Sequence, residues 1–538
     1  MKRSNKIARK ASVTPQPAEF LLDSNELLDK VQRIVEQHCR IVVEPGSNYT
    51  LHYLDTFDWR LYRTGRTLSA VRNKSNRKLV LATRAGEILQ SIAGAAPPAF
   101  ARNLPPGRFR HAIAGTIEPR RLLARARLKI HETIVRILNT DEKTVVRLAL
   151  QTRALSKSGK EGDTTTLAAV VRVVPVKGYI REHQTLVALL KNKLGLSSTP
   201  ECAFASAMKS AGLTPGGYIP KLTIALRSRM RGGDAVRAIH RSLLNTILVN
   251  ADGVRRNLDP EFLHEYRVAI RATRSALRQI KDVFPDSEVQ HFSNEFKWLG
   301  AATGPVRDLD VYLLKMDEFR AELPNDMREH LWPLEKYLHV HHDKEHRQLL
   351  STLGSKRYRA LMDDWSVFLG NSAPVTAGAC QGAALPVIDL ASDRIWRTYR
   401  RVRKRARTIE QDTPAEALHA LRVECKKLRY LLEFFNSLYP PEEVGLLIQT
   451  LKQLQTNLGN FNDCEVQRLA LRRIANEMHQ HGLASADTFL AMGRLMEHLS
   501  DEQLDQRRRF QARFDSFAMP ENRKRYRRLF KPSAKEVH

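Results

Sequence analysis

A gapless internal repeat constrains the fold of this sequence more than any other feature. The motif Leu-His-Glu-Tyr-Arg-Val at 263–268 matches Leu-His-Ala-Leu-Arg-Val at 418–423, an offset of 155 residues from His264 to His419. The same offset continues without a gap and pairs Arg271 with Lys426, Arg274 with Arg429, Pro285 with Pro440 and Val311 with Val466. Two helices and the turn between them recur in register, which predicts two similar helical bundles packed about a pseudo-twofold axis.

The N-terminal part of the chain shows a strand-like sequence pattern in place of the helical repeat. Short β-rich runs, separated by Gly-, Pro- and Ala-rich pieces, lie at 49–53, 78–83, 144–149 and 167–174. This pattern predicts an antiparallel α+β domain over 18–225. Residues 1–17 precede it as a basic, polar leader, which we expect to be disordered.

Helical periodicity dominates the remainder of the chain and predicts an all-α domain over 230–520. A stretch rich in Ala and Gly interrupts the periodicity and is typical of a linker. The predicted boundaries are repeat 1 at 234–369, the linker at 370–386, repeat 2 at 387–520 and a basic tail at 521–538. The predicted fold class is therefore multidomain, with an α+β domain followed by two pseudo-symmetric helical bundles.

The charge balance narrows the class of partner. The chain has 88 Lys and Arg residues against 58 Asp and Glu residues, a formal net charge of +30. This excess favours a polyanionic partner, whether nucleic acid, an anionic membrane or polyphosphate. No apolar run approaches the roughly 18 residues that span a bilayer, so we expect no membrane span.

The Cys and His residues predict neither disulfides nor a metal site. The five cysteines are scattered and lack any Cys-x-x-Cys spacing, which favours a reducing cytoplasm. Four histidines cluster within 339–346, but no nearby Cys or pair of carboxylates completes a ligand set.

The first copy of the repeat contains an amphipathic helix whose polar face is almost purely basic. At 100° per residue, six side chains, the first stripe, fall within one arc of about 100°: His264, Arg267, Arg271, Arg274, Arg278 and Lys281. The opposite face carries Tyr266, Ala269, Ile270, Leu277 and Ile280. In the second copy, the second stripe contains His419, Arg422, Lys426 and Arg429, with Lys427 beside it.

A row of cations without acids works against helix stability, because like charges one turn apart repel each other. Solvated helix faces usually mix both signs, so an unrelieved row favours binding of an anion. Arginine suits this role, since its planar guanidinium donates two parallel hydrogen bonds to phosphate oxygens. The alternative is a solvated or internally paired face, and in the second copy Glu433 already takes the place of Arg278.

Each copy also carries a glycine followed by an acid. Gly304 and Asp308 in the first copy correspond to Gly459 and Asp463 in the second. We expect these residues to form structural turns, with Asp308 at a helix N-cap, where an acid could also orient an arginine of the stripe. A role as metal-binding carboxylates is the alternative.

These motifs resemble the CHAD family of helical domains over about 230–520. The family pattern is a helix that begins His-x-x-Arg-Val, followed by a Leu-Gly-(x)n-Asp segment, and both copies match it. The resemblance implies two four-helix bundles with a basic central surface that binds inorganic polyphosphate. It also makes the two stripes the proposed phosphate ligands, although Ala272 stands where a second consecutive basic residue is common.

Residues 49–72 resemble the CYTH family, whose triphosphate-tunnel barrels often precede CHAD domains. The resemblance implies a barrel-like fold with cations that hold a phosphate chain and with glutamates that bind Mg²⁺ or Mn²⁺. Candidate secondary phosphate-binding residues are Arg60, Arg63, Arg66, Arg72 and Arg84. The acidic pattern is poorly matched, because Glu19 stands alone where Glu-x-Glu-x-Lys is usual and Arg172 lies in the late strand that usually carries Glu-x-Glu. Ser69 also replaces a tunnel arginine, so we expect a degenerate barrel that has lost hydrolysis and needs no metal cofactor.

Three functional hypotheses remain. The leading one is a cytoplasmic protein that binds inorganic polyphosphate without catalysis and collects at polyphosphate granules. The second is a metal-dependent triphosphatase or polyphosphatase that uses the N-terminal tunnel. The third is a protein that binds nucleic acid nonspecifically through the same positive charge. The sequence leaves the oligomeric state and the preferred chain length open.

Overall fold

The computed structural model describes residues 17–74, 76–156, 163–195, 202–220, 224–371, 380–410 and 412–532. The chain forms two compact units, Met1–Ile219 and Pro220–His538. Parts of the predicted leader, linker and tail, at 1–16, 372–379 and 533–538, lie outside the described residues. No helix in the described part of the chain is long and apolar enough to cross a membrane.

The N-terminal unit is built on a nine-stranded antiparallel sheet. Its strands are β1 (Ala18–Leu22), β2 (Arg40–Val43), β3 (Ser47–Asp55), β4 (Arg66–Arg72), β5 (Arg77–Thr83), β6 (Ile88–Ala93), β7 (Leu123–Leu138), β8 (Thr144–Ser156) and β9 (Thr164–Pro175). Hydrogen-bonded neighbours follow the order β1-β9-β8-β7-β3-β4-β5-β6, and β2 pairs with β7. The four predicted β-rich runs lie within β3, β5, β8 and β9, and the antiparallel α+β class is confirmed.

Helices cover part of this sheet. They are α1 (Glu26–His38), α2 (Arg60–Arg63), α3 (Arg108–Ile117), α4 (Ile180–Leu194) and α5 (Cys202–Ser210). Alternate residues of a strand point to one face, so Val171 and Val173 of β9 pack in one core with Val31 of α1 and Leu186 of α4. This core holds the sheet against two amphipathic helices.

The other face of the sheet curves around a cavity. Gly86, in the turn between β5 and β6, has φ +86°, a conformation that favours glycine. A Cβ atom at Gly86 would lie 3.1 Å from Nη2 of Arg172 on β9. The turn between β5 and β6 therefore lies close to β9, although these strands are far apart in the hydrogen-bonding order. This closeness is consistent with the barrel-like curvature that the resemblance of residues 49–72 implied.

The C-terminal unit is helical, as the sequence predicted. The first half contains α6 (Gly232–Arg255), α7 (Pro260–Gln279), α8 (Asp286–Ala302), α9 (Gly304–Ala321), α10 (Trp332–Gly354) and α11 (Lys356–Gly370). The short α12 (Gln381–Ala384) then leads to α13 (Val387–Ala406), α14 (Ala415–Phe434), α15 (Pro441–Gln480), α16 (Ala486–Ala518) and α17 (Pro520–Phe530).

The two halves meet through residues that the repeat makes equivalent. The backbone N–H of Gly232 donates to the carbonyl of Leu385, and the N–H of Val387 donates to the carbonyl of Met230, each at 2.8 Å. Val387 is equivalent to Gly232 at the 155-residue offset, and Leu385 is equivalent to Met230. The two hydrogen bonds are therefore equivalent to each other, as a pseudo-twofold axis between the halves requires. The same offset separates Tyr312 from Gln467, whose carbonyl accepts a hydrogen bond from the Tyr312 hydroxyl at 3.1 Å.

Each half has its own aromatic core. In the first half, Trp365 of α11 packs against His240 of α6 and against Phe292 and Phe296 of α8. In the second half, Tyr399 of α13 packs against Phe517 of α16. A further core lies between the halves and joins α9 and α10 to the C-terminal part of α15 and the N-terminal part of α16.

The described part of the predicted C-terminal tail is instead a packed helix. Tyr526 and Phe530 of α17 are both 0% exposed, and the Tyr526 ring stacks on Tyr399 with centroids 3.8 Å apart. Basic residues dominate the composition of this segment, which made it resemble a solvated tail. Tyr526 and Phe530 are nevertheless four residues apart, which places both aromatic rings on one helix face. Helix α17 therefore completes the second bundle, and the domain boundary predicted at residue 520 is wrong.

This packing predicts that Tyr526→Ala lowers the free energy of unfolding by roughly 3–5 kcal/mol, as do other truncations of large aromatic core side chains. Lys524→Ala provides a control in the same helix, because Lys524 is exposed, and its effect should stay within about 0.5 kcal/mol. Denaturant unfolding followed by tryptophan fluorescence measures both values. Equal stability of the two variants would show that α17 is not part of the core.

Candidate anion-binding site

Apart from Lys281, the residues of the two stripes lie on α7 and α14, on the polar faces that the helical periodicity predicted. The opposite face of α7 is buried, with Tyr266 and Ile270 no more than 1% exposed. Asp259 caps the start of α7 by accepting hydrogen bonds from the backbone N–H groups of Glu261 and Phe262. The cap and the buried face together fix the direction in which the first stripe points.

The cations of the two stripes come close together where α7 contacts α14. Burial lowers the pKa of Lys426 to about 8, and repulsion by the nearby charges of Arg422 and Arg271 contributes to the same shift. Arg271 and Lys426 are equivalent positions of the repeat. The pseudo-twofold packing thus brings like charges together, at a cost in electrostatic energy.

A cavity of about 770 Å³ opens beside this contact. From the two stripes it is lined by His264, Arg267, Arg271 and Arg422, and from outside them by Arg307 and Arg473. Arg307 and Arg473 were not predicted as site residues, because neither lies on the two amphipathic helices. The Val-Arg-Asp segment at 306–308 was the available signal for Arg307, since it places an arginine beside the acid already singled out.

Arg267 is held rigidly at the edge of the cavity. Its Nη1 donates to the Gly300 carbonyl at 2.9 Å and to the Thr303 hydroxyl at 2.8 Å. Burial lowers the pKa of this guanidinium. Arg267 therefore ties α7 to the junction of α8 and α9 as well as contributing charge to the cavity wall.

The predicted turns differ between the copies. Gly304 begins α9 directly after Thr303, but Asp308 lies within α9 rather than at its N-cap. In the second copy, Gly459 and Asp463 both lie inside the continuous helix α15, so the predicted turn is wrong there. The physical cause is Pro305, which cannot continue a helical hydrogen-bond ladder; its equivalent position holds Asn460.

The two acids nevertheless accompany the arginines of the site. Asp463 accepts a hydrogen bond from Nη2 of Arg422 at 3.2 Å. Burial raises the pKa of Asp308, although Arg267 and Arg307 lie close enough to act in the opposite direction. Asp463 thus orients Arg422, and both acids neutralise part of the positive charge of the site.

Several stripe residues lie outside the cavity. Lys427 donates to Glu424 at 2.7 Å and Arg429 lies 3.4 Å from Glu433, so both are internally paired. His419 donates from Nδ1 to the side-chain oxygen of Asn462 at 2.6 Å. Arg274 and Arg278 continue along α7 beyond the cavity, and Arg278 is exposed. Lys281 is also exposed but lies beyond the end of α7, after the C-cap Ile280, so its predicted place on the helix face is wrong.

The N-terminal unit contains a separate cavity of about 420 Å³ within the curved sheet. Of the five arginines predicted to bind phosphate there, only Arg84 lines it. Arg60 donates to the carboxylate of Asp58 and to the carbonyls of Ile117 and Glu118. Arg63 donates to the Tyr218 carbonyl, and Arg66 donates to the Ala112 carbonyl and the Thr116 hydroxyl. Arg72 lines a neighbouring pocket. These four arginines therefore lie outside the cavity, and only Arg84 is placed to contact a phosphate chain within it.

The carboxylates of this cavity do not fit a divalent metal ion. Glu19 pairs with Arg172 at 3.0 Å. Glu132 accepts from the Tyr49 hydroxyl at 3.2 Å and from the Gln151 amide at 2.6 Å. A divalent cation requires several carboxylate oxygens to replace its water, and no group of three His, Cys, Asp or Glu side chains converges within the described ranges.

Comparison with known proteins identifies the helical unit. The model of the CHAD domain family matches residues 238–472. Two uncharacterized proteins of Mycobacterium tuberculosis are 27% identical over 305 residues, which cover 53% of this chain and 55% of theirs. The chain thus spans about half the length of the curated relatives it matches.

Two solved structures are also similar. A CHAD domain from the plant Ricinus communis is 25% identical, covering 55% of this chain and 96% of that one, with a TM-score of 0.47. A candidate adenylyl cyclase from Hippeastrum, described as having a dominant triphosphatase activity, is 13% identical. It covers 38% of this chain and 99% of that one, with a TM-score of 0.26.

The repulsion around Lys426 predicts that Lys426→Met stabilises the anion-free protein at pH 7, by roughly 0.5–2 kcal/mol. The pKa of Lys426 falls from its ordinary value of 10.5 to about 8 on folding. Between these values the folded state binds fewer protons than the unfolded state, so wild-type stability rises with pH. The advantage of the methionine variant should therefore shrink as the pH rises through this window.

Denaturant unfolding in phosphate-free, low-salt buffer measures this effect. Lys427→Met is the matched control, and it should be destabilising because it breaks the pair with Glu424. If both variants were equally destabilised at pH 7, Lys426 would not be under electrostatic repulsion in the folded state.

Proposed function

Because residues 238–472 form a CHAD domain, we propose that this protein binds inorganic polyphosphate, without catalysis, on its two cationic helices. The single observation that carries the proposal is the contact of the first and second stripes, with Arg271 near Lys426. Such a concentration of cations is stabilised when a polyanion approaches it. Arg274 and Arg278 extend the same face along α7, Lys281 follows the end of the helix, and together they offer a path for a phosphate chain.

The proposal includes a cellular site. A protein that holds long polyphosphate chains collects where these chains accumulate, so we propose that it associates with polyphosphate granules in the cytoplasm. Binding to closely spaced phosphates releases condensed counterions, by analogy with nucleic acids, so the affinity should fall steeply with salt concentration.

Removal of the central cations tests the site. The triple variant Arg271→Ala, Arg274→Ala, Lys426→Ala should lose roughly a hundredfold or more in affinity for long-chain polyphosphate, since each charged hydrogen bond contributes about 1.5–3 kcal/mol. Titration by isothermal calorimetry at physiological salt measures the affinity. The control variant Lys297→Ala, Lys452→Ala, Arg513→Ala removes the same charge from exposed positions outside the cavity.

Two outcomes would contradict the proposal. Equal loss of affinity in the triple variant and its control would mean that binding follows net charge alone. Displacement of bound polyphosphate by duplex DNA at an equal phosphate concentration would favour the nucleic-acid alternative. Against that alternative, the stripes contain no aromatic residues on which bases could stack.

A metal-dependent triphosphatase in the N-terminal cavity is the second candidate function. The observation that favours it is that Glu19 and Glu132 line the cavity, where their carboxylates are the candidate metal ligands. Their pairing with Arg172, Tyr49 and Gln151 opposes it, because a metal ion would have to displace these partners.

We therefore predict no release of phosphate from tripolyphosphate above the protein-free rate, with either Mg²⁺ or Mn²⁺. A colorimetric phosphate assay over a range of pH measures the release. Turnover that Glu132→Gln abolishes, while the exposed-surface variant Glu87→Gln retains it, would establish the enzyme instead.

A further inference from the structure

The lining of the cavity beside the two stripes combines charged and apolar side chains. Arg267, Arg271 and Arg422 line it together with Arg307, Arg473 and four acids, Asp308, Glu345, Asp463 and Glu477. Apolar side chains form another part of its wall: Leu309, Val311, Val466, Ala470 and Ile474. Val466 is 56% exposed. Inorganic polyphosphate has no apolar surface to place against such a wall, so the cavity suits a ligand that also has an uncharged part.

An aromatic pair forms part of this wall. The rings of Tyr337 and His341 stack with centroids 3.8 Å apart and planes 25° apart, and both residues line the cavity. The Tyr337 hydroxyl donates to Glu477, and Nδ1–H of His341 donates to the Tyr337 carbonyl at 2.9 Å. These bonds fix the pair, which offers a preorganised surface on which a flat ring could stack.

Hydrogen-bond acceptors lie on the same wall. Glu345 lines the cavity and forms no ion pair with the side chains that the structure describes. Gln467 is 6% exposed, and its side-chain oxygen Oε1 is buried without a hydrogen-bond partner among the described residues. A buried acceptor without a donor is unfavourable, so Gln467 suits a ligand that carries an amino group. The partly exposed carboxylate of Glu345 is a second acceptor on the same wall.

We propose that this cavity binds a nucleoside polyphosphate whose base carries an amino group. The phosphates contact Arg267, Arg271 and Arg422, and the base lies against Tyr337 and His341. The amino group of the base donates to the acceptors on the apolar wall. This inference rests on the proposed function, because the phosphates contact arginines of the same two stripes that bind polyphosphate.

The experiment compares ATP with tripolyphosphate in EDTA, so that both ligands are metal-free and differ mainly in the nucleoside. Isothermal calorimetry of the full chain at physiological salt should show ATP binding about tenfold more tightly, since stacking of one base contributes about 1–3 kcal/mol. His341→Ala should bring the ratio of the two affinities close to one. His341→Phe, which retains a ring, should preserve most of the preference.

His339→Ala is the matched control, because His339 is exposed on the same helix and does not line the cavity. It should leave the ratio unchanged. Equal affinities for ATP and tripolyphosphate in the wild type, unaltered by His341→Ala, would overturn the nucleotide inference and leave polyphosphate binding standing. Failure of both ligands and of long-chain polyphosphate to bind would overturn the proposed function and this inference with it.

Discussion

The contact between two like-charged helices is the constraint on which the site depends. Reciprocal backbone bonds, from Gly232 to Leu385 and from Val387 to Met230, join equivalent ends of the two halves. The shared apolar core then fixes the remaining helices around the same pseudo-twofold axis. Hydrophobic burial thereby holds Arg271 close to Lys426, an arrangement that electrostatics alone would oppose. The folding energy of the scaffold maintains an unfavourable charge distribution that an anion can relieve.

Much of the helical site could be predicted, because period and charge are local properties of the sequence. Helical geometry alone placed Arg267 and Arg271 on one face of α7 and Arg422 on the equivalent face of α14. Two kinds of error had different origins. Glu424 and Lys427 are three residues apart on α14, so the local helical spacing could have indicated their pairing. The contribution of Arg473 depends instead on how α15 packs against the first half. Tertiary packing determines it, and no local pattern indicates it.

The errors in the N-terminal unit have a simpler cause. The strands were correctly located, but a basic residue near a strand does not necessarily point into the enclosed cavity. On β4, Thr67, Ser69 and Val71 line the cavity, so alternation directs Arg66 and Arg72 to the other face. Strand alternation would have excluded both arginines at once. Ser69 itself is one of the residues of β4 that line the cavity.

The helical frame is pseudo-symmetric, but the charges added to it are not. Arg307 corresponds to Asn462 in the other half, and Arg473 corresponds to Glu318. Both additional cations line the one cavity that also holds His264. A long phosphate chain with identical repeating units has no need for an asymmetric site. A ligand with one charged end and one flat, uncharged end does need one, because its two ends require different surroundings. The departure from symmetry therefore favours a ligand that binds in a single orientation.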